Sequence, residues 1–204
     1  MAHADDLQAV SVDEALIDVT STVKQLREQS GLDGSAHDYA KDFAETIRAQ
    51  VRKATSCESM LSSVCLLAMV DSHSSALVSI GIAHNILLAR LATRRAKPAG
   101  SYHLLPSEVP DFLAPLTISD LHGFGWSTKQ KAQEKLGVVT LGELAKKSKG
   151  VLMDALGRST GETLYNAIRG IDDKKLESDK PRKSVSCEIN VSFPPGGMQA
   201  GQTH

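Results

Sequence analysis

The chain has 204 residues, 41% hydrophobic and 23% charged, with a formal net charge of −1. At about 100 to 200 residues per domain this allows one large domain or one and a half small ones, and the composition excludes a disordered tail or a coiled-coil rod. Three cysteines, Cys57, Cys65 and Cys187, are an odd number without paired spacing, which excludes a disulfide framework and a zinc ribbon.

The near-neutral sum hides an asymmetry. Residues 1–50 carry 4 Lys/Arg against 10 Asp/Glu, whereas the remainder carries 19 against 14. An acidic part joined to a basic part suits a protein that holds cations in one place and phosphates in another, although solvated faces of an ordinary globule explain it equally well. No stretch reaches the ~18 uninterrupted apolar residues of a membrane helix, and no basic leader precedes an apolar core, so no membrane partner is expected.

Residues 9–20, AVSVDEALIDVT, show two short apolar alternations, Val10/Val12 and Ala15/Ile17/Val19, meeting at Asp13-Glu14. They predict two strands about an acidic joint. Ser35 and Asp38 offer helix-starting side chains, and Ala40, Phe43, Ala44, Ile47, Val51 and Ala54 follow at spacings of three and four, which predicts an amphipathic helix.

Residues 78–83, VSIGIA, have the β-branched character of a short buried strand, and Asn85 can cap the helix running through Ile86, Leu87, Leu88, Leu91 and Ala92 to Lys97-Pro98-Ala99-Gly100. Strand, helix, strand, helix is the order of an α+β layer with helices packed on a sheet.

From about residue 106 the chain turns into short helical pieces, expected at 111–116, 128–136, 141–147, 151–156 and 160–169 and punctuated by glycines. Residues 172–183, DDKKLESDKPRK, read as an exposed linker. Residues 184–193 alternate like another strand, and the final PPGGMQAGQTH lacks any apolar period and reads as disordered. No repeat of 20 to 50 residues is present, which excludes solenoids and propellers.

Two adjacent carboxylates at a strand joint are costly unless a positive charge balances them. Mg²⁺ prefers hard oxygen ligands and completes its shell with waters and phosphates, so Asp13 and Glu14 suffice as protein ligands; a solvated turn is the competing reading. Lys97 ends a helix carrying Arg90, Arg94 and Arg95, and serves either as a point charge for a triphosphate or as a complement to the helix dipole.

Leu121-His122-Gly123-Phe124-Gly125, followed by Thr128-Lys129-Gln130-Lys131, is more specific. A Gly-apolar-Gly turn between helices exposes backbone N–H groups and removes side chains, so a nucleic-acid phosphate can approach without base readout, and Lys129, Lys131 and Lys135 deepen the positive field. A tight helical hairpin with packing glycines is the alternative. His73, His84 and His103 lack metal-site spacing, and Ser72, Ser74 and Ser75 have no nucleophile context.

In this order the pieces resemble the Y-family translesion DNA polymerases. SVDEALIDVT (11–20) is similar to their second carboxylate motif, VSIGIAHNILLARLATRRAKPAG (78–100) to their palm strand and helix, and LHGFGWSTKQKAQEKLG (121–137) to the helix-hairpin-helix of their thumb. KPAGSYHL (97–104) and RKSVSCEIN (182–190) are most similar to the eukaryotic deoxycytidyl transferase branch, which inserts dCMP opposite guanine and abasic sites.

The resemblance implies a partial palm over 1–105, a thumb over 106–171, a linker over 172–183 and the start of a further DNA-binding domain from 184. It implies that Asp13 and Glu14 hold catalytic Mg²⁺, that Lys97 contacts the triphosphate, and that Gly123, Phe124, Gly125 and Lys129 hold DNA. The chemistry implied is attack of a primer 3′-hydroxyl on the α-phosphorus of a dNTP, dCTP favoured, in a nucleus and beside other translesion polymerase subunits.

Three departures qualify it. The family's D-x-D-x-F-F strand motif, which carries the first metal-binding aspartate, is not in this sequence, so little polymerase activity is expected of this chain alone. SMLSSVCLLAMVDSHSSAL (59–77) intervenes at a tight helix-to-strand joint and reads as a translated intron. His122 replaces the proline usual before the hairpin glycine. A helix-hairpin-helix module that binds DNA without catalysis is the competing expectation.

Overall fold

A computed structural model of the chain describes residues 4–11, 13–30, 37–55 and 78–177. The insert at 59–77, the second half of the linker (178–183) and everything from 184 onward lie outside the described residues. The architecture is α+β, as the element order implies.

The acidic segment forms an antiparallel hairpin, β1 (Asp6–Ala9) and β2 (Ala15–Asp18), in the register Asp6↔Asp18, Leu7↔Ile17, Gln8↔Leu16 and Ala9↔Ala15. The first strand lies earlier than the Val10/Val12 alternation predicts; Val10 sits in the turn, 38% exposed. Successive β2 side chains point to opposite faces, and both faces are covered. Leu16 joins one apolar cluster and Ile17 a second.

Helix α1 (Thr20–Gln29) follows where no element was expected. It has no side-chain N-cap and buries no residue, offering only half-buried Val23 and Leu26 to the palm cluster, so its apolar period is faint. Helix α2 (Tyr39–Thr55) matches its prediction, with Asp38 Oδ1 accepting from the Lys41 amide at 3.0 Å.

Strand β3 (Ile80–Ile82), helix α3 (Ile86–Ala96) and strand β4 (Ser101–His103) make a parallel β-α-β unit, paired Ile80↔Ser101, Gly81↔Tyr102 and Ile82↔His103. Ile80 and Ile82 pack with Phe43 and Ala44 of α2. At Gly81 a Cβ would lie 2.1 Å from the Thr93 amide nitrogen and 2.3 Å from the Ala89 carbonyl, so only glycine lets α3 approach this closely. Asn85 caps α3, its side chain accepting from the Leu88 amide at 3.0 Å.

The remainder is helical: α4 (Val109–Leu113), α5 (Trp126–Leu136), α6 (Leu141–Ala145), α7 (Lys149–Leu156) and α8 (Arg158–Ala167), with 3₁₀ turns at Pro106–Glu108 and Ile118–Asp120. All five expected helices form, with ends shifted by a few residues. Leu88 and Leu91 of α3 share one apolar cluster with Leu113, Leu121, Leu144, Leu152 and Leu164, so the helical part grows from the sheet layer without a break in the core. Each such fully buried leucine contributes roughly 1.5 to 3 kcal/mol.

Residues 172–177 form no helix or strand, yet they are tied to the first half of the chain. Asp172 Oδ2 accepts from the Leu87 amide at 3.2 Å, and the Glu177 amide donates to Gln8 Oε1 at 3.0 Å.

Candidate active site and nucleic-acid interface

The β1–β2 turn is built around its own acidic residues. The amides of Val10 and Ser11 donate to the Glu14 carbonyl at 2.8 and 3.0 Å, and the Ser11 hydroxyl donates to Asp13 Oδ1. This fixes two adjacent carboxylates at the tip of a short hairpin. Glu14 folds back against α3, its Oε1 3.6 Å from Arg90 Nη2, with both side chains 14% exposed.

Burial raises the Glu14 pKa above the ordinary carboxylate value; Arg90 opposes this, Asp13 reinforces it and Lys97 opposes it more weakly. Arg90 is itself incompletely satisfied, its buried Nε having no hydrogen-bond partner among the described residues. The acidic tip is therefore a carboxylate pair partly withdrawn from water and only partly neutralised, a state that a further cation relieves.

The same face of α3 meets the thumb. Arg94 Nη1 donates to the Asp120 carbonyl at 2.9 Å and lies 3.5 Å from the Asp120 carboxylate. A cavity of about 80 Å³ is lined by Glu14, Arg90, Arg94, Asp120 and His122. Beside it a larger one of about 420 Å³ shares Arg90 and His122 and is further lined by Gln8, Asp172, Lys174, Lys175 and Glu177. Partial burial lowers the His122 pKa, and Arg90, Lys174 and Arg94 lower it further.

The turn after His122 has two different glycines. Gly123 has φ +93°, a left-handed value, whereas Gly125 (φ −84°, ψ 178°) is extended. A Cβ built on either meets nothing within 4 Å. Gly125 is the N-cap of α5; its carbonyl accepts from the Thr128 and Lys129 amides at 3.1 and 3.3 Å, so the amides of Trp126 and Ser127 precede the first hydrogen bond of the helix. Phe124 packs half-buried against the shared core and anchors the turn. Lys129 is half-buried, Lys131 and Lys135 are exposed, and Trp126 is 74% exposed.

The structure thus joins Glu14, and through it Asp13, to His122 by way of α3; Lys97, at the C-cap of α3, reaches Glu14 through its charge. Gly123, Gly125 and Lys129 stand on the thumb beyond His122. Arg90, His122, Trp126, Lys174 and Lys175 carry no role in the sequence pattern alone. Arg90 had a legible signal, its four-residue spacing from Ile86 and Arg94; Lys174 and Lys175 had none, since their run reads as solvated linker.

Residues 119–172 match a family described as DNA polymerase-iota, thumb domain. The chain is 38% identical over 186 residues to DNA repair protein rev1 of Schizosaccharomyces pombe, covering 91% of this chain and 17% of that one. It is 34% identical over 188 residues to DNA polymerase IV of Stenotrophomonas maltophilia, covering 92% and 43%. Among solved structures, a Dbh ternary complex superposes with a TM-score of 0.62 at 24% identity, covering 87% of this chain and 44% of that one. DinB from Sulfolobus solfataricus gives 0.60 at 23%, covering 87% and 43%.

The chain spans less than half the length of these relatives. In sequence and in fold the chain is similar to a fragment of the Y-family DNA polymerases that takes in part of the palm and the thumb.

Proposed function

We propose that the chain serves template-directed nucleotidyl transfer during DNA damage bypass, adding dCMP to a primer 3′-hydroxyl. The observation that carries this is the common cleft: Glu14 of the acidic tip, the arginines of α3 and His122 at the thumb turn line one cavity. Its partners on this reading are primer–template DNA and a dNTP, with dCTP favoured. The likeness to DNA repair protein rev1 supports a role in DNA repair; the dCMP preference, a nuclear location and other translesion polymerase subunits as partners rest on the resemblance of residues 97–104 and 182–190 to the deoxycytidyl transferase branch. The division into palm (1–105), thumb (106–171) and linker (172–183) belongs to the same proposal.

Asp13 and Glu14 are the residues that would hold Mg²⁺. Their hard oxygen donors fit it, and burial of Glu14 beside a single arginine leaves a negative charge for it to neutralise. When bound, the ion supplies charge stabilisation at the reacting phosphate oxygens. Lys97 acts as a point charge for the triphosphate. Gly123 and Gly125 admit the DNA backbone to the first amides of α5, Phe124 holds the turn in shape, and Lys129 adds to the field that attracts phosphate.

Primer extension with Mg²⁺ and dCTP, compared with an Asp13→Ala/Glu14→Ala variant, tests the reading. Weak dCMP addition that the double change abolishes, with duplex binding retained, is expected. Duplex binding without any carboxylate-dependent addition would establish the second reading, a non-catalytic helix-hairpin-helix module. The ion pair of Glu14 with Arg90 favours that alternative, because it gives the carboxylate a purely structural partner.

A further inference from the structure

The turn that carries Lys97 is held by residues outside the cleft. Ala99, two positions on, has φ 101°, a conformation that residues with a Cβ avoid. Both polar groups of Ala99 are taken. Its amide donates to Ser79 Oγ at 3.1 Å, and its carbonyl accepts from Arg48 Nη2 at 2.5 Å.

Arg48 is anchored in turn. Its Nε donates to the Val78 carbonyl at 3.1 Å, and its Nη1 pairs with Glu45, which also accepts from the Ser101 hydroxyl. One guanidinium therefore ties α2 to the residues before β3 and to the turn before β4. Ser79 is fully buried, where an apolar side chain would cost less unless its hydroxyl were used. The whole arrangement acts on the backbone two residues from Lys97, although neither Arg48 nor Ser79 borders the cavity containing Glu14.

We propose that Arg48 and Ser79 are positioning residues for triphosphate binding: by clamping Ala99 in its left-handed conformation they fix where the Lys97 ammonium stands relative to Glu14. The inference rests on reading Lys97 as the triphosphate contact. It accounts for an unfavourable backbone conformation being kept at a non-glycine residue beside the site, since strain persists where surrounding bonds over-determine it.

A double-mutant cycle tests it, with inorganic tripolyphosphate as the probe and calorimetric titration of the full chain as the readout. Lys97→Ala and Arg48→Ala are each expected to weaken binding about tenfold, roughly 1.4 kcal/mol. In the Lys97→Ala background, Arg48→Ala should then cost nothing more, because its effect passes through the lysine. Ser79→Ala, which removes one hydroxyl, gives the same cycle if Arg48→Ala does not fold.

If Lys97→Ala weakens binding while Arg48→Ala and Ser79→Ala do not, the clamp is wrong and the lysine's role stands. Equal losses from Arg48→Ala with and without Lys97 overturn the clamp as well, leaving Arg48 a general structural residue. If Lys97→Ala has no effect, or the chain does not bind tripolyphosphate, the role of Lys97 falls and the clamp falls with it.

Discussion

Gly123 and Gly125 impose different requirements although they stand two residues apart. At Gly123, φ +93° makes any Cβ unfavourable, so Gly123→Ala should lower stability by about 1 to 2 kcal/mol, visible as a lower Tm. Gly125 has an ordinary extended backbone with open space around it, so Gly125→Ala should change stability by no more than ~0.5 kcal/mol. Its added methyl would stand where a phosphate approaches α5, and weaker binding of duplex DNA at unchanged Tm is the expected result. Unchanged binding would make the glycines packing devices only. Trp126 supplies an internal probe, being the sole tryptophan of the chain and 74% exposed beside this turn. Its emission should respond when duplex DNA is added, and an unresponsive emission would place the DNA elsewhere. The turn that carries Gly123 and Gly125 is legible in the sequence because turn chemistry is local. His122 and Arg90 were not, because their importance comes from being brought to the same cavity by elements far apart in sequence.

At the scale of elements, what could be read in advance was whatever carried its own period or cap. Helix α2 has an apolar face at spacings of three and four, α3 has Asn85, and β2 falls on the Ala15/Ile17/Val19 alternation, whereas β1 precedes the Val10/Val12 pair. Helix α1 has neither a side-chain cap nor a buried residue, and only its place against the palm cluster identifies it. Close approach is the other feature hidden from a linear reading. Gly81→Ala would drive a methyl into the backbone of α3, and a loss of 1 to 3 kcal/mol or more is expected in denaturant unfolding. In the thumb, α6 starts with a reciprocal cap: Thr140 Oγ1 accepts from the Glu143 amide at 3.3 Å, and Glu143 Oε2 accepts from the Thr140 and Val139 amides at 3.1 and 3.2 Å. The Thr140 amide, then the Val139 amide and the Thr140 hydroxyl, lower the Glu143 pKa. A carboxylate lowered in the folded state contributes stability above its unfolded pKa, about 4.3, and loses that contribution as pH falls through the folded value. Glu143→Gln should therefore be less stable than the parent at pH 7, by a margin that shrinks as pH falls below about 4.3, as read by urea unfolding.

For the whole molecule, the acidic hairpin lies against α3, and the cleft between them is lined by charges of both signs: Arg90, Arg94 and the lysines at 174 and 175 stand among Glu14, Asp120, Asp172 and Glu177. The linker reading of residues 172–183 concealed this, because a charged stretch carries no sign of the hydrogen bonds that return Asp172 to α3 and Glu177 to β1. Binding of duplex DNA to such a surface releases counterions, so its affinity should fall linearly with salt on logarithmic axes, and a flat response would contradict any phosphate-gripping role. The central claim, that the carboxylates of the hairpin and the thumb turn face one DNA site, is most directly tested by replacing Mg²⁺ with Fe²⁺ and adding ascorbate and peroxide to the complex with primer–template. Radicals generated at Asp13 and Glu14 should cut the DNA over a few nucleotides at one position, and Asp13→Ala/Glu14→Ala should abolish the cut while leaving the DNA bound. Diffuse cleavage, or a focused cut that survives the double change, would contradict it.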